Sequence, residues 1–152
     1  MSNFEIAIGE DLSYPQTVFT EVCLKMEDIC FPGDVWSDFT YSILSMWVYT
    51  ICNSRKAKEL QLPFMDGPFS MILTRHSEGT CQVKCIKQCR EKNIVQFEFV
   101  VSDREFLHEL RRAFLKLKAL VSRSTIIASR AQACKDIDHC LAMMQAISSL
   151  PL

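Results

Sequence analysis

Three consecutive segments of the chain are predicted to form short strands and are separated by short connections. The segments are "FSMILTR" (69–75), "TCQVKCIKQ" (80–88) and "NIVQFEFVV" (93–101). The first connection, "HSEG", ends in Gly79, a residue that can adopt a positive φ in a tight turn. Because connections this short join antiparallel neighbours, the three segments predict an antiparallel meander.

Two more strands are predicted near the N-terminus. The segments "FEIAI" (4–8) and "TVFTEVCLKM" (17–26) alternate between apolar and polar residues. Their apolar faces would comprise Phe4, Ile6, Ile8, Val18, Val22, Leu24 and Met26. Together with the meander, these segments predict a sheet of about five strands.

A Trp-rich helix is predicted over "VWSDFTYSILSMWVYTICNSRKAKE" (35–59). Apolar residues recur there at helical spacing, namely Trp36, Phe39, Ile43, Trp47 and Ile51. Asp34 is positioned to cap the first turn. Basic residues, which the helix dipole favours near the C-terminus, would lie in the last turns: Arg55, Lys56 and Lys58. The helix is apolar over much of its circumference, so we expect Trp47 to be buried.

The C-terminal third of the chain has helical periodicity. Ser102 and Glu105 form a capping-box pattern ahead of an amphipathic segment. Its inward residues would be Leu107, Leu110, Phe114, Leu117 and Val121, and a final helical segment carries Cys134, Ile137, Leu141, Met144 and Ile147. No clear helix breaker lies between Ser122 and Ala133, so one kinked helix and two helices both remain open for residues 103–149.

These elements predict a single α+β domain over residues 1–152. In it, an antiparallel sheet of about five strands packs against the Trp-rich helix and the C-terminal helices. A chain of 152 residues can bury roughly 70% of its unfolded surface, and its 49% hydrophobic content is typical of a folded domain. Neither a signal peptide pattern nor an apolar run of membrane-spanning length is present, so we expect a cytoplasmic location.

The eight cysteines predict neither a disulfide framework nor a metal site. A cytoplasmic protein of this size needs no disulfides. Cys81, Cys85 and Cys89 are spaced four apart, which in a strand separates neighbours by roughly 13 Å. A shared metal ion with bonds of about 2.3 Å cannot span that distance. We therefore expect no cofactor, no metal and free thiols, several of them buried as small apolar side chains.

No catalytic site is predicted either. The three histidines lie at positions 76, 108 and 139, and none stands beside a serine or cysteine in a known catalytic arrangement. The four glycines are scattered, which excludes a glycine-rich phosphate-binding loop. We therefore expect that the protein is not an enzyme.

The charges are unevenly distributed along the chain. Residues 1–38 contain eight acids and one base, a net charge of −7, and the remainder carries +6, which leaves an overall charge of −1. An overall charge of −1 argues against nucleic-acid binding, but acids clustered on one part of the surface would steer a basic protein partner. We expect Glu10, Asp11, Glu27 and Asp28 to contact that partner. Asp34 and Asp38 are left out of this set, because their expected capping roles would confound a test by charge reversal. Solvation and helix capping remain the alternative explanation for any single acid.

The segment "PFMDGPF" (63–69) predicts a turn rather than a site. Gly67 permits a tight turn and Pro68 fixes φ where the next strand begins. The Asp66 carboxylate would accept hydrogen bonds from nearby backbone amides.

Two pieces of the chain together carry a resemblance to a known class of proteins. They are "VWSDFTYSILSMW" (35–47) and "FMDGPF" (64–69). Over residues 34–101 the chain resembles the small cytoplasmic immunity proteins of bacterial polymorphic-toxin and contact-dependent inhibition systems. The matching residues are Trp36, Asp38, Asp66, Gly67 and Pro68. Phe69 stands where a tyrosine would be expected, which removes one hydroxyl.

The resemblance implies a binding function without catalysis. Such proteins bind a cognate toxin domain, often a nuclease, and occlude its active site or substrate access. The expected partner is therefore a protein toxin domain with a basic surface, and neither a nucleic acid nor a membrane. The residues themselves leave a second hypothesis open, a cytosolic interaction module or adaptor with an unrelated partner.

Overall fold

The computed structural model describes residues 3–12, 18–54, 57–125 and 129–147. The strands are β1 Phe4–Ile8, β2 Thr20–Met26, β3 Ile29–Phe31, β4 Ser37–Asp38, β5 Glu59–Pro63, β6 Phe69–Ser77, β7 Thr80–Gln88 and β8 Asn93–Ser102. The helices are α1 Thr40–Asn53, α2 Asp103–Arg123 and α3 Arg130–Gln145. The fold is α+β, as the sequence predicts.

The strands form two antiparallel four-stranded sheets rather than one sheet of about five strands. In the first sheet the order is β1-β2-β3, with β4 paired to β2, and in the second it is β5-β6-β7-β8. All five predicted strands are present, and the meander is confirmed. Three strands were missed, because β3 and β4 span only three and two residues and cannot show an alternating pattern. The third, β5, begins at Glu59, the last residue of the predicted Trp-rich helix, and continues to Pro63.

The Trp-rich helix is shorter than predicted at both ends. It begins at Thr40, its N-cap residue is Phe39, and no side-chain hydrogen bond caps it, so the prediction that Asp34 caps this helix is wrong. The preceding residues, Ser37 and Asp38, pair instead with Glu21 and Thr20 of β2. The helix ends at Asn53 without a basic residue in its last turn. Arg55 and Lys56 lie outside the described residues.

The C-terminal region contains two helices rather than one kinked helix. Ser102 caps α2 by accepting a hydrogen bond from the backbone N–H of Glu105 at 3.0 Å, which confirms the predicted N-terminus. This helix packs against β1 and α3. Glu109 joins it to the first sheet, since its carboxylate accepts a hydrogen bond from the backbone N–H of Ile6 at 3.3 Å. Arg112 holds the same carboxylate through two hydrogen bonds of 2.9 Å.

The core lies between the sheets and the helices. Trp47 is completely buried, as predicted, and its indole N–H donates to the carbonyl of Pro63 at 2.7 Å. Cys81 and Cys85 are also completely buried on the inner face of β7, and burial raises the pKa of both thiols to about 12. All eight cysteines carry free thiols. No described helix is long and apolar enough to cross a bilayer.

Candidate protein-binding surface

Asp38 is a fully buried carboxylate at the junction of β4 and α1. Its Oδ1 accepts a hydrogen bond from the backbone N–H of Phe39 at 2.7 Å. Its Oδ2 accepts one from the indole Nε1 of Trp36 at 3.2 Å. A buried carboxylate requires such donors, because an ionised group without partners is costly to remove from water.

The same carboxylate also binds the turn that follows β5. Asp38 Oδ2 accepts hydrogen bonds from the backbone N–H groups of Met65 at 3.2 Å and Asp66 at 3.1 Å. We call Asp38 with its four donors the Asp38 clamp. The clamp joins the two pieces of sequence that carry the resemblance, although they lie 27 and 28 residues apart at these contacts.

The turn at residues 65–68 has the predicted geometry, but the role of Asp66 in it differs from the predicted one. Gly67 has a φ of +73°, which favours glycine. Pro68 leads directly into β6, and its carbonyl accepts a hydrogen bond from Gln88 at 2.7 Å. Asp66 contributes its backbone N–H to the clamp, whereas the sequence predicted its carboxylate as the acceptor.

Trp36 packs over this turn. A Cβ atom placed on Gly67 would lie 2.9 Å from the Trp36 ring and 3.2 Å from the Phe69 ring. The two rings meet edge to face, with centroids 5.2 Å apart. Glycine is therefore required here both by its backbone conformation and by the close approach of the indole.

Gly67→Ala should lower the free energy of unfolding by about 2–3 kcal/mol, because a left-handed alanine costs ~1–2 kcal/mol and the Trp36 contact adds to that strain. Gly79→Ala is the matched control. Gly79 has a similar φ of +77° but no atom within 4 Å of an added Cβ, so this change should cost only about 1–2 kcal/mol. Urea denaturation measures the free energy of unfolding of both variants. An equal loss for Gly67→Ala and Gly79→Ala would contradict the packing role of Trp36.

Three apolar side chains around the clamp are exposed to solvent. Val35 is 77% exposed, Met65 is 54% exposed and Phe39 is 38% exposed. Met65 and Phe39 donate their backbone N–H groups to Asp38, and Val35 adjoins Trp36. Two exposed acids, Asp34 and Asp66, are sequence neighbours of these residues. We call these five residues the clamp surface: Asp34, Val35, Phe39, Met65 and Asp66.

The four acids predicted to contact a partner do not lie together. Glu10 and Asp11 follow the end of β1, whereas Glu27 and Asp28 form the turn between β2 and β3. Since β1 and β2 are antiparallel, with Ile8 opposite Val22 and Phe4 opposite Met26, the two pairs lie at opposite ends of this hairpin. The four steps along the strand from Val22 to Met26 alone span roughly 13 Å.

Basic residues of α2 offset part of the N-terminal negative charge. Lys116 forms an ion pair with Glu10 at 3.2 Å, and Arg112 forms one with Glu5 at 3.1 Å. Both pairs are exposed, so each contributes little to stability. They nevertheless reduce the negative potential near Glu10, which leaves Glu27 and Asp28 as the more isolated of the predicted pairs.

Three surface cavities lie outside the clamp or beside it. One of about 320 Å³ is lined by Glu10, Asp11 and Arg123, and one of about 220 Å³ by Arg104, His108 and Arg111. The third, of about 160 Å³, includes Glu21, Asp34 and Trp36 among its lining residues. Within the described ranges, no three metal-ligating side chains converge.

The exposed apolar residues of the clamp surface were not predicted from the sequence. Phe39 occurs at helical spacing with Ile43, which placed it on the buried face of a helix that in fact begins after it. Met65 lies in a segment interpreted only as a turn. No local signal distinguishes these residues from core residues, because the burial of a side chain depends on contacts between segments that are distant in the sequence.

No protein-family model matches this chain, and no curated protein or solved structure matches it either. Its functional assignment therefore depends on its own residues and on the geometry described above.

Proposed function

We propose that this protein binds a cognate toxin domain, such as a nuclease, and neutralises it by occluding its active site or substrate access. The observation that carries the proposal is the Asp38 clamp. Through it, Trp36 and the turn containing Gly67, on which the resemblance to immunity proteins is based, meet at one buried carboxylate. The clamp surface is the proposed contact region.

The clamp favours binding by holding two connections in fixed positions. Asp38 accepts hydrogen bonds from the backbone at Phe39 and at Met65, whose side chains are exposed. A surface that is ordered before association loses less conformational entropy when a partner binds. Exposed apolar side chains on such a surface are suited to act as anchors in partner pockets.

The proposed mechanism requires no chemistry from this chain. Val35, Phe39 and Met65 would be buried against the toxin domain, while Asp34 and Asp66 would face its cationic groups. A nuclease cleft is basic because it binds phosphates, so a negatively charged apolar surface complements it. The predicted acids at positions 10, 11, 27 and 28 would then act at longer range by steering the encounter.

Immunity proteins are encoded beside their toxins, so the first test is whether a neighbouring reading frame encodes a toxin domain and whether this protein binds it. We expect Val35→Glu combined with Met65→Glu to weaken the complex at least ~10-fold, because two anchors would carry charge into an apolar contact. Isothermal titration calorimetry measures the affinity, and growth of cells that express the toxin measures neutralisation. Both readouts should change together.

Leu115→Glu is the matched control. Leu115 is 45% exposed on α2, a helix that contributes no residue to the clamp surface, so its replacement should change the affinity less than two-fold. If wild-type protein neither binds nor neutralises the neighbouring toxin, the toxin assignment is wrong. If the toxin binds tightly and neither the Val35→Glu, Met65→Glu double variant nor Leu115→Glu changes the affinity, the toxin is still the partner. The clamp surface would then be excluded as the contact region.

A second test separates the two pairs of predicted acids. Charge reversal of Glu27 and Asp28 should slow association several-fold at low salt, whereas reversal of Glu10 and Asp11 should have a smaller effect, because Lys116 already offsets Glu10. Stopped-flow association rates measure both. Above roughly 0.5 M salt, where the Debye length falls to ~4 Å, the differences should largely disappear. If the association rate changes neither with salt concentration nor with reversal of any of the four acids, electrostatic steering is excluded.

The same surface would also serve an interaction module with an unrelated partner, which remains the alternative. Affinity purification from the native host, followed by mass spectrometry, distinguishes the two functions. Recovery of the adjacent toxin would support neutralisation. If the toxin is not recovered and a different partner is, and if binding of that partner requires Val35 and Met65, the alternative is supported.

A further inference from the structure

Two cysteines meet on the face of the first sheet that points away from the core. Val22 and Leu24 are buried in the core, so Cys23 between them lies on the opposite face. Cys30 of β3 is the cross-strand partner of Lys25, which lies on the same face as Cys23. Cys23 and Cys30 are therefore diagonal neighbours, and their thiols form a hydrogen bond.

A cavity of about 160 Å³ opens beside these thiols. Cys23, Cys30, Lys25 and Trp36 are among the residues that line it. A small ion entering this cavity would therefore meet two sulfur atoms and a positively charged side chain.

We infer that Cys23 and Cys30 bind one soft monovalent metal ion of the Cu(I) class. Thiolate sulfur is the ligand type that selects such ions. Two S–H bonds break, two metal–sulfur bonds form and two protons pass to solvent, with no change of oxidation state. The resulting bis-thiolate complex carries one negative charge, which the Lys25 ammonium offsets.

The position of the two strands favours a bridging ion over a disulfide. Diagonal neighbours in an antiparallel pair have Cα atoms roughly 7–8 Å apart. A disulfide requires Cα atoms within about 6.8 Å and sulfur atoms about 2.05 Å apart, so the strands would have to shift. With metal–sulfur bonds of about 2.3 Å, the length known for zinc thiolates, two sulfurs up to ~4.6 Å apart can share an ion.

The experiment is an anaerobic titration of the reduced full-length protein with Cu(I), in competition with a chromophoric Cu(I) chelator. We expect one tightly bound equivalent, and a loss of affinity of at least ~10-fold in Cys23→Ser and in Cys30→Ser. Cys89→Ser is the control, because Cys89 is an exposed cysteine in the connection between β7 and β8 and does not line this cavity. The affinity of this variant for Cu(I) should match that of the wild type. Circular dichroism verifies that each variant is folded.

Trp36 provides a second readout that reports position. Because Trp36 lines the cavity and Trp47 is buried in the core, Cu(I) should quench only the Trp36 component of the fluorescence. Trp36→Phe should therefore bind Cu(I) but lose the quenching. The inference would be overturned if Cys23→Ser and Cys30→Ser both bound Cu(I) with wild-type affinity. It would also be overturned if the protein bound no Cu(I) and formed a Cys23–Cys30 disulfide under mild oxidation. The site does not depend on the proposed toxin partner.

Discussion

Trp47→Ala should lower the free energy of unfolding by about 3–5 kcal/mol, the usual range for deleting a large buried aromatic side chain. Trp47 is completely buried, and its ring meets Phe64 edge to face with centroids 5.4 Å apart. The substitution removes this packing and leaves the Pro63 carbonyl without its indole donor. Urea denaturation followed by circular dichroism measures the loss.

Tyr49→Ala is the control on the same helix. Tyr49 is 43% exposed, so its replacement should cost less than about 1 kcal/mol. A loss below about 0.5 kcal/mol for Trp47→Ala would mean that α1 does not pack against the core as described. A large loss for both variants would indicate that the helix is sensitive to any substitution.

Asp38→Asn should destabilise the fold by about 3 kcal/mol. The carboxylate accepts four hydrogen bonds while fully buried, and bonds to a charged group are worth roughly 1.5–3 kcal/mol each. The neutral amide weakens the bonds that remain, and its NH₂ group must face at least one N–H donor. Because Met65 and Asp66 are among the donors, we also expect faster hydrogen exchange at their backbone amides.

Asp34→Asn tests the alternative assignment of the helix cap. Asp34 is exposed and does not cap α1, so this change should alter stability by less than about 0.5 kcal/mol. If Asp34→Asn were the more damaging substitution, the helix would begin near residue 35, as its apolar spacing suggests. Fast exchange of the Met65 and Asp66 amides in Asp38→Asn, with slow exchange in Asp34→Asn, would confirm the clamp.

The sequence predicted those elements whose signal is local. The five predicted strands, β1, β2, β6, β7 and β8, each span five or more residues, and Ser102 with Glu105 marks the start of α2, so both types of element were identified. The missed strand β5 also spans five residues, but it begins at the last residue of the predicted Trp-rich helix. The beginning of α1 was not, because Trp36 and Phe39 occur at helical spacing by coincidence. Residues 37–38 pair with β2 instead, and Asp38 bonds to residues 65 and 66. No pattern within a short window contains that information.

The candidate site was predictable only in part. The two quoted pieces of sequence meet at Asp38, a contact that the sequence analysis did not predict. The four predicted acids are divided by the hairpin of β1 and β2, because proximity along the chain does not determine which end of a strand a residue occupies. The diagonal contact of Cys23 and Cys30 depends on the β2–β3 register, which cysteine spacing alone does not reveal.

The bond between Ile6 and Glu109 has a consequence for synthesis of the chain on the ribosome. These residues are 103 positions apart, so β1 emerges long before the helix that covers it. At typical translation rates of about 5–20 residues per second, the interval is roughly 5–20 s. During that time, the apolar face of β1 has no α2 to cover it. We therefore expect nascent chains stalled before residue 103 to be captured by holdase chaperones, and chains that include α2 to be released.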